Sequence, residues 1–309
     1  MKAIVMHEFG GPEVLHLEDV PRPRPAAGEV LVKVNATSIN PVDTKIREGK
    51  SKQKFPTSFP LIPGWDVSGV VEEAGSGVKA FKKGDEVYGR PFPTRNGAYA
   101  EYVVVQEGEI GPKPKSIDHI TAAAVPLAGL TAWQGLFDYG HLQKDQKVLI
   151  HAASGGVGTF AIQFAKWKGA YVIGTTSAQN IELVKKLGAD EVIDYKKEKF
   201  EDKLKDIDLV LDTIGGDTQK RSIEVLKNGG RLITTVKPEF EEEAKEKNIH
   251  LEGYTAQTYP AQLKEIADLI DAGKVRPVIA KVLPLEDAAE GQKLIAEGHT
   301  AGKIVLSVN

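Results

Sequence analysis

Gln146-Lys147-Val148-Leu149-Ile150-His151-Ala152-Ala153-Ser154-Gly155-Gly156-Val157-Gly158 is the stretch from which the rest of the chain is read. Residues 148–150 form a short apolar run of the kind buried in a parallel sheet, and Phe160, Ala161, Phe164 and Ala165 recur downstream at helical spacing. Strand, glycine turn and helix therefore follow in that order. Such a turn offers the unpaired N–H groups of a helix start to an anion, and glycine lets the backbone approach without a Cβ in the way. Against the dinucleotide-binding spacing G-x-G-x-x-G, Ala153 holds the first glycine place, followed by Gly155 and Gly158. The same spacing also suits a tight strand-to-helix turn with no ligand.

Moving outward, Tyr171-Val172-Ile173-Gly174-Thr175-Thr176-Ser177 reads as a second strand, and Ile181, Leu183, Val184 and Leu187 as the helix after it. An Asp or Glu at this strand end would accept from both ribose hydroxyls of NAD, whereas Thr175, Thr176 and Ser177 offer hydroxyls that a 2′-phosphate accepts from. The preference expected is for NADP(H). No Arg stands beside these hydroxyls, and Lys185 and Lys186 lie further along the helix, so an exposed polar strand end remains the alternative. Residues 191–194 and 207–212 are further strands, the second ending in Asp212-Thr213-Ile214-Gly215-Gly216 at the ligand-facing end of the sheet. A turn at Asn228-Gly229-Gly230 precedes a fifth strand at 231–236, and 249–254 is a sixth. The acidic run from Glu239 to Glu243, with Lys245 and Lys247 at helical offsets, reads as a solvated helix face.

At 309 residues the chain exceeds the usual size of one core, and 41% hydrophobic residues suffice for two. A net charge of -3 and the lack of a basic stripe with interleaved aromatics argue against nucleic-acid binding. No run approaches the ~20 apolar residues that a spanning helix needs. Met1-Lys2-Ala3-Ile4-Val5 reads directly as a strand, so neither membrane insertion nor a signal peptide is expected. With no cysteine there is no disulfide framework, and a reducing cytoplasm is the expected compartment.

The first ~125 residues have a different texture, with short strands such as 28–34 and 67–73 set between Pro and Gly, as in a compact antiparallel barrel. After the sixth strand the chain returns to this first domain. Residues 261–272 carry Leu263, Ile266, Ala267 and Ile270 on one helix face, and 278–282 and 304–308 are strands flanking a helix at 285–297. The expected division is 1–125, 126–256 and 257–309, with the middle segment inserted into the first domain.

Over almost its whole length the chain resembles the medium-chain dehydrogenase/reductase superfamily, and within it the zinc-independent quinone oxidoreductase branch that includes zeta-crystallin-like and alkenone reductases. The likeness is carried in order by Ser38-Ile39-Asn40-Pro41-Val42-Asp43, Pro63-Gly64-Trp65-Asp66-Val67-Ser68-Gly69, Gly84-Asp85-Glu86-Val87, Gly97-Ala98-Tyr99-Ala100-Glu101-Tyr102, Pro126-Leu127-Ala128-Gly129-Leu130-Thr131-Ala132, the 153–158 turn and Gly302-Lys303-Ile304-Val305-Leu306. The resemblance implies an α/β protein, a GroES-like β-barrel domain with an inserted Rossmann-type doubly wound parallel sheet. Zinc-dependent relatives hold their ion with Cys and His, but Asn40 stands in the first ligand place and Trp65-Asp66 replaces the His motif. The seven His residues, at 7, 16, 119, 141, 151, 250 and 299, show no metal-binding pair, and no zinc is expected.

Without a Lewis acid, the accessible chemistry is hydride delivery from NADPH to an activated acceptor, a quinone or an α,β-unsaturated carbonyl such as an enone or alkenal. The resemblance places Asn40 near the nicotinamide or substrate oxygen, Thr131 beside the nicotinamide ribose or phosphate, and Ser154, Gly155, Gly156, Val157 and Gly158 at the pyrophosphate. It sets Thr176 and Ser177 at the adenosine 2′-phosphate, Tyr195 against the adenosine end, Thr213 and Ile214 at the strand-end crevice, and Lys303 at a phosphate or carboxamide. Alternatives stand beside these roles: Asn40 and Thr131 as helix caps, Tyr195 as half-buried core, Lys303 as a solvated strand start. Lys45 replaces a Tyr common in the branch, and a cation there favours an acidic or oxyanion-forming acceptor or else points to solvent. The Lys usual near the 2′-phosphate in the branch is replaced by Asn180 or displaced. Two other functions fit the same fold: a zinc-free alcohol or enoyl dehydrogenase, and a non-enzymatic NADPH-binding sensor or crystallin-like protein. A homodimer through the edge strand near 249–254 is expected.

Overall fold

The computed structural model describes residues 1–298 and 300–308, so His299 lies outside the described residues. The chain divides into a first unit, Met1–Leu127 with Thr258–Gly273 and Pro277–Asn309, and a second unit, Ala128–Gln257 with Lys274–Arg276.

In the second unit, Val148, Leu149 and Ile150 are wholly buried in the strand Lys147–Ile150, as a doubly covered parallel sheet demands. That strand lies centrally among six parallel strands. Its neighbours are Tyr171–Thr176 on one side and Ile207–Asp212 on the other, with Glu191–Asp194 outside the former and Leu226–Thr234 then His250–Gly253 outside the latter. The order reverses at Lys147–Ile150, which is where such sheets take their ligand. The helix Gly156–Lys168 packs Phe160, Ala161, Phe164 and Ala165 inward. Each of its two phenylalanines contributes roughly 1.5–3 kcal/mol by leaving water. The helix stops at Gly169, whose φ of 88° favours glycine. The Asn228-Gly229-Gly230 segment is a bulge within the fifth strand and not a turn before it: Leu226 pairs with Ile207 and Arg231 with Leu209, so residues 227–230 are extruded between.

The first unit is built on the long strand Glu29–Ile39, which pairs antiparallel with Val67–Ala74, Tyr102–Gln106 and Lys303–Ser307. It runs five residues beyond the 28–34 segment expected, through Ala36, Thr37 and Ser38. Polar residues are tolerated there because Asp66 accepts from both hydroxyls: Thr37 donates to its carbonyl oxygen at 2.6 Å and Ser38 to its Oδ2 at 2.5 Å. The strand Lys303–Ser307 sets Ile304 opposite Ile39, bringing the two ends of the chain together at Asn40 and Lys303. Trp65, Tyr99, Ile46 and Leu306 lie in the core beneath.

Candidate functional site

Two polar sites emerge, one in each unit. In the second, the first turn of the 13-residue helix Gly156–Lys168 has no side-chain cap, so its leading N–H groups stay open to an anion. Gly158 is needed for packing: a Cβ there would lie 2.3 Å from the Ala152 carbonyl oxygen. Gly155 meets only that oxygen, at 3.2 Å. Gly156 and Val157 are half-buried at the helix start. Ala152 sits in the left-handed region with φ 49°, an unusual conformation for a residue with a Cβ.

Beside this turn the ends of two strands meet. Ser154 Oγ accepts from Thr176 Oγ1 at 2.8 Å and from Asn180 Nδ2 at 3.1 Å, which leaves the Ser154 hydroxyl proton to be donated elsewhere. Asn180 Nδ2 also reaches Ser177 Oγ at 3.4 Å. Tyr195 follows the neighbouring strand, its N–H bonded to the Thr176 carbonyl at 3.2 Å, and its ring is 55% exposed, not half-buried core. These residues therefore come together as a hydroxyl-lined, aromatic-flanked strand end. Thr213 and Ile214 open the loop after Ile207–Asp212, with Ile214 exposed. Asp212, which sequence reasoning left without a role, organises that loop. Its Oδ1 accepts from the N–H groups of Ile214 and Gly215 at 2.8 and 3.0 Å, and its Oδ2 from Thr234 Oγ1 and Gln219 Nε2. An Asp at a strand end before Thr-Ile-Gly-Gly was the available signal.

Thr131 is buried inside the helix Pro126–Trp133, not at its start, so it caps nothing; its carbonyl accepts from Tyr254 Oη at 2.5 Å.

In the first unit, Asn40 precedes the helix Pro41–Arg47, and its backbone N–H donates to Asp43 Oδ2 at 2.7 Å. Its side chain does not cap. Nδ2 donates to Asp66 Oδ2 at 2.7 Å and Oδ1 accepts from Lys303 Nζ. Lys303 is buried, not a solvated strand start, and also bonds the Ile39 carbonyl at 3.0 Å and Asp66 Oδ2 at 3.4 Å. Burial pulls the Lys303 pKa down, opposed by the charges of Asp66 and Asp43. Burial likewise raises the Asp43 carboxyl from 3.8 to about 7, against the Asn40 N–H, Lys303 and Tyr99. Asp43 Oδ1 has no partner among the described residues, while Oδ2 also accepts from Tyr99 Oη at 3.0 Å. Lys45 is exposed on the Pro41–Arg47 helix. Partial burial, then the nearby charges of Lys45 and Arg90, hold the Lys54 pKa down. Phe55 and Phe92 meet edge to face beside it at 6.3 Å.

No group of three or more His, Cys, Asp or Glu among the described residues is placed to hold a metal ion. The residues at Asn40 do not fit one: a lysine ammonium stands against Asp66 where a cation would be held.

The second unit is a Rossmann-type nucleotide-binding fold and the first a GroES-like domain, the pairing of a nicotinamide-dependent oxidoreductase. An alcohol dehydrogenase GroES-like domain model matches residues 26–115, and a zinc-binding dehydrogenase model matches residues 187–306. The chain is 37% identical over 324 residues to a mitochondrial NAD(P)H oxidoreductase of Danio rerio, covering 91% of this chain and 84% of that protein. It is 36% identical over 321 residues to a chloroplastic NADPH-dependent alkenal/one oxidoreductase of Arabidopsis thaliana, covering 99% and 79%. The solved quinone oxidoreductase of Coxiella burnetii superposes with a TM-score of 0.93 at 37% identity, covering 100% of this chain and 99% of that one. The chain belongs to the quinone oxidoreductase branch of the medium-chain dehydrogenase/reductase superfamily and is an oxidoreductase. The two matched relatives reside in organelles, so they do not bear out the cytoplasm expected from the missing cysteines. No helix among the described residues is long and apolar enough to cross a membrane.

Proposed function

We propose that the protein reduces a quinone or an α,β-unsaturated carbonyl with NADP(H), without a metal ion. The observation that carries this reading is the state of the Asn40 amide. With Oδ1 taken by Lys303 and one Nδ2–H given to Asp66, only a second N–H has no partner among the described residues. A donor suits a carbonyl oxygen on which negative charge grows during reduction. An alcohol to be oxidised would instead need a base. Neither Asn40 Oδ1 nor Asp66 is free for that: Asp66 Oδ1 accepts from the Leu127 N–H at 2.7 Å, and Oδ2 serves Ser38, Asn40 and Lys303.

NADPH, when bound, supplies the hydride. Gly156, Val157 and Gly158 offer N–H groups to its diphosphate, the Gly155 N–H being given to the Ala152 carbonyl, and Ser154 offers the proton its two incoming hydrogen bonds leave over. Thr176, Ser177 and Asn180 favour a 2′-phosphate because none of them is a carboxylate, and the exposed Tyr195 ring fits the adenosine end. Thr131 is proposed near the nicotinamide ribose, and Thr213 and Ile214 line the loop after their strand. Asn40 orients the acceptor oxygen, and water returns the proton to the reduced product. A further observation bears on the acceptor: the Lys54 ammonium lies over the Phe55 ring, which meets Phe92 edge to face, and a cation beside two rings favours an acidic aromatic quinone over a neutral one.

The test is steady-state oxidation of NADPH and NADH with a naphthoquinone and a series of 2-alkenals. Turnover with NADPH and either class, at a KM well below that for NADH, is expected. Tight NADPH binding with no turnover would favour a sensor, and sustained oxidation of simple alcohols would favour the dehydrogenase reading. The assembly proposed is a homodimer through His250–Gly253, an edge strand of the six-stranded sheet. A monomer mass by light scattering at micromolar concentration would reject it.

A further inference from the structure

We propose that Lys303 and Asp66 are positioning residues that hold the Asn40 amide in one of its two flips, so that a single Nδ2–H is reserved for the acceptor's carbonyl oxygen. The inference rests on the hydride-transfer reading above and concerns residues that neither touch nor reduce the acceptor themselves.

An amide has one end that only accepts and one that only donates. Lys303 Nζ is a donor without acceptor capacity, and it faces Oδ1; the Asp66 carboxylate accepts, and it faces Nδ2. Reversing the amide would set NH₂ against an ammonium and a carbonyl oxygen against a carboxylate. Asn40 is 3% exposed and Lys303 3%, so water cannot relieve either mismatch. The clamp is itself anchored. Asp66 is held by Ser38 Oγ at 2.5 Å and the Leu127 N–H at 2.7 Å. Lys303 is brought in by a close backbone approach: Gly302 has φ 90°, and a Cβ on it would lie 2.4 Å from the Val278 carbonyl oxygen, which accepts from the Lys303 N–H at 2.9 Å. All three Lys303 hydrogens are used within the first unit, on Ile39, Asn40 and Asp66. The ammonium therefore acts through Asn40, in place of the direct phosphate or carboxamide contact that the family likeness implies.

The test is a double-mutant cycle on the full-length protein, with NADPH and 9,10-phenanthrenequinone, recording kcat, the KM for NADPH and the melting temperature. Asn40→Ala should lower kcat by roughly a hundredfold, the scale of losing one oxyanion donor. Lys303→Met should lower it by roughly tenfold to a hundredfold, the scale of losing a partner that orients a reacting group. The double variant should turn over no more slowly than Asn40→Ala, and the KM for NADPH should stay within about twofold throughout. Losses that multiply in the double variant, or an unchanged kcat in Lys303→Met, would overturn the inference. If Lys303→Met does not fold, Lys303→Arg serves in the same cycle: its displaced donor should slow turnover in the native background and not in Asn40→Ala, and equal slowing in both would reject the idea. A wild-type protein inactive with every acceptor would instead overturn the proposed function, a separate outcome.

Discussion

In the first unit a buried amide, Asn40, meets ionisable side chains drawn from distant parts of the chain, Asp43, Asp66 and Lys303, although 263 positions separate Asn40 from Lys303. In the second unit the groups that His151 bonds are neutral hydroxyls, one from the strand Tyr171–Thr176 and one from the helix Asp217–Val225. His151 Nδ1 meets Thr175 Oγ1 at 3.0 Å and Nε2 meets Ser222 Oγ at 2.8 Å. Because the Ser222 hydroxyl donates to the Thr218 carbonyl at 2.6 Å, its oxygen is left to accept, so the ring proton sits on Nε2. The contrast separates two tasks. In the function proposed, a cofactor diphosphate is met by main-chain N–H groups, which any glycine turn before a helix supplies. The acceptor's carbonyl oxygen is there assigned to a side-chain donor, and holding such a donor in one orientation takes charged neighbours kept out of water.

Removing Asp66 should break this contrast most severely. Asp66→Ala leaves the buried Lys303 ammonium without its bonded carboxylate, and a loss of about 3–5 kcal/mol is expected in urea unfolding. A combined Asp66→Leu and Lys303→Met variant, which removes both charges, should recover much of it. If Asp66→Ala costs under about 1 kcal/mol, the charged core is not what holds the first unit together.

The two units should also respond to pH in opposite directions. Burial holds the His151 pKa at about 4, against 6.5 when unfolded, so below pH 6.5 the unfolded chain takes up a proton that the folded one refuses. Stability supplied at His151 thus falls as pH drops from 6.5 to 4, by roughly 3 kcal/mol in all. Asp43 is raised from 3.8 to about 7, so between those values the folded chain keeps a proton that the unfolded one has lost. Its contribution is whole below pH 3.8 and declines as pH climbs to 7. Urea titrations at pH 5 and pH 7 should therefore show His151→Gln becoming less stable relative to wild type at the higher pH, and Asp43→Asn becoming more stable. Parallel slopes in the two variants would erase the distinction between the units.

The smallest effect should come from Ala152, which holds φ 49° at the head of the glycine turn. Ala152→Gly should raise stability by about 0.5 kcal/mol and leave NADPH affinity unchanged, read by melting temperature and calorimetry. A drop in stability would mean that the methyl group is needed in place.

Elements governed by local pattern were legible without coordinates. The apolar run at 148–150, the helical spacing after Gly158 and the strand-end hydroxyls at 175–177 each depend on residues a few positions apart, and each forms as read. Alternatives that local pattern left open were decided by distant groups. Asn40 followed by Pro41 is a good cap by local rules, yet its side chain turns away because Asp66 and Lys303 satisfy both of its ends. Lys303, a plausible solvated strand start, is buried because pairing with Glu29–Ile39 carries it to a carbonyl, an amide and a carboxylate at once.

The order of strands and helices, the glycine turn and the absence of thiol ligands were written in the amino-acid order, since period, propensity and residue chemistry act over short spans. Which ends of the Asn40 amide are taken, and why the Lys303 side chain lies in the interior, were decided only when the chain folded. A hydrogen bond between residues 40 and 303 has no local signature, and its direction depends on which donors and acceptors the folded backbone brings within reach.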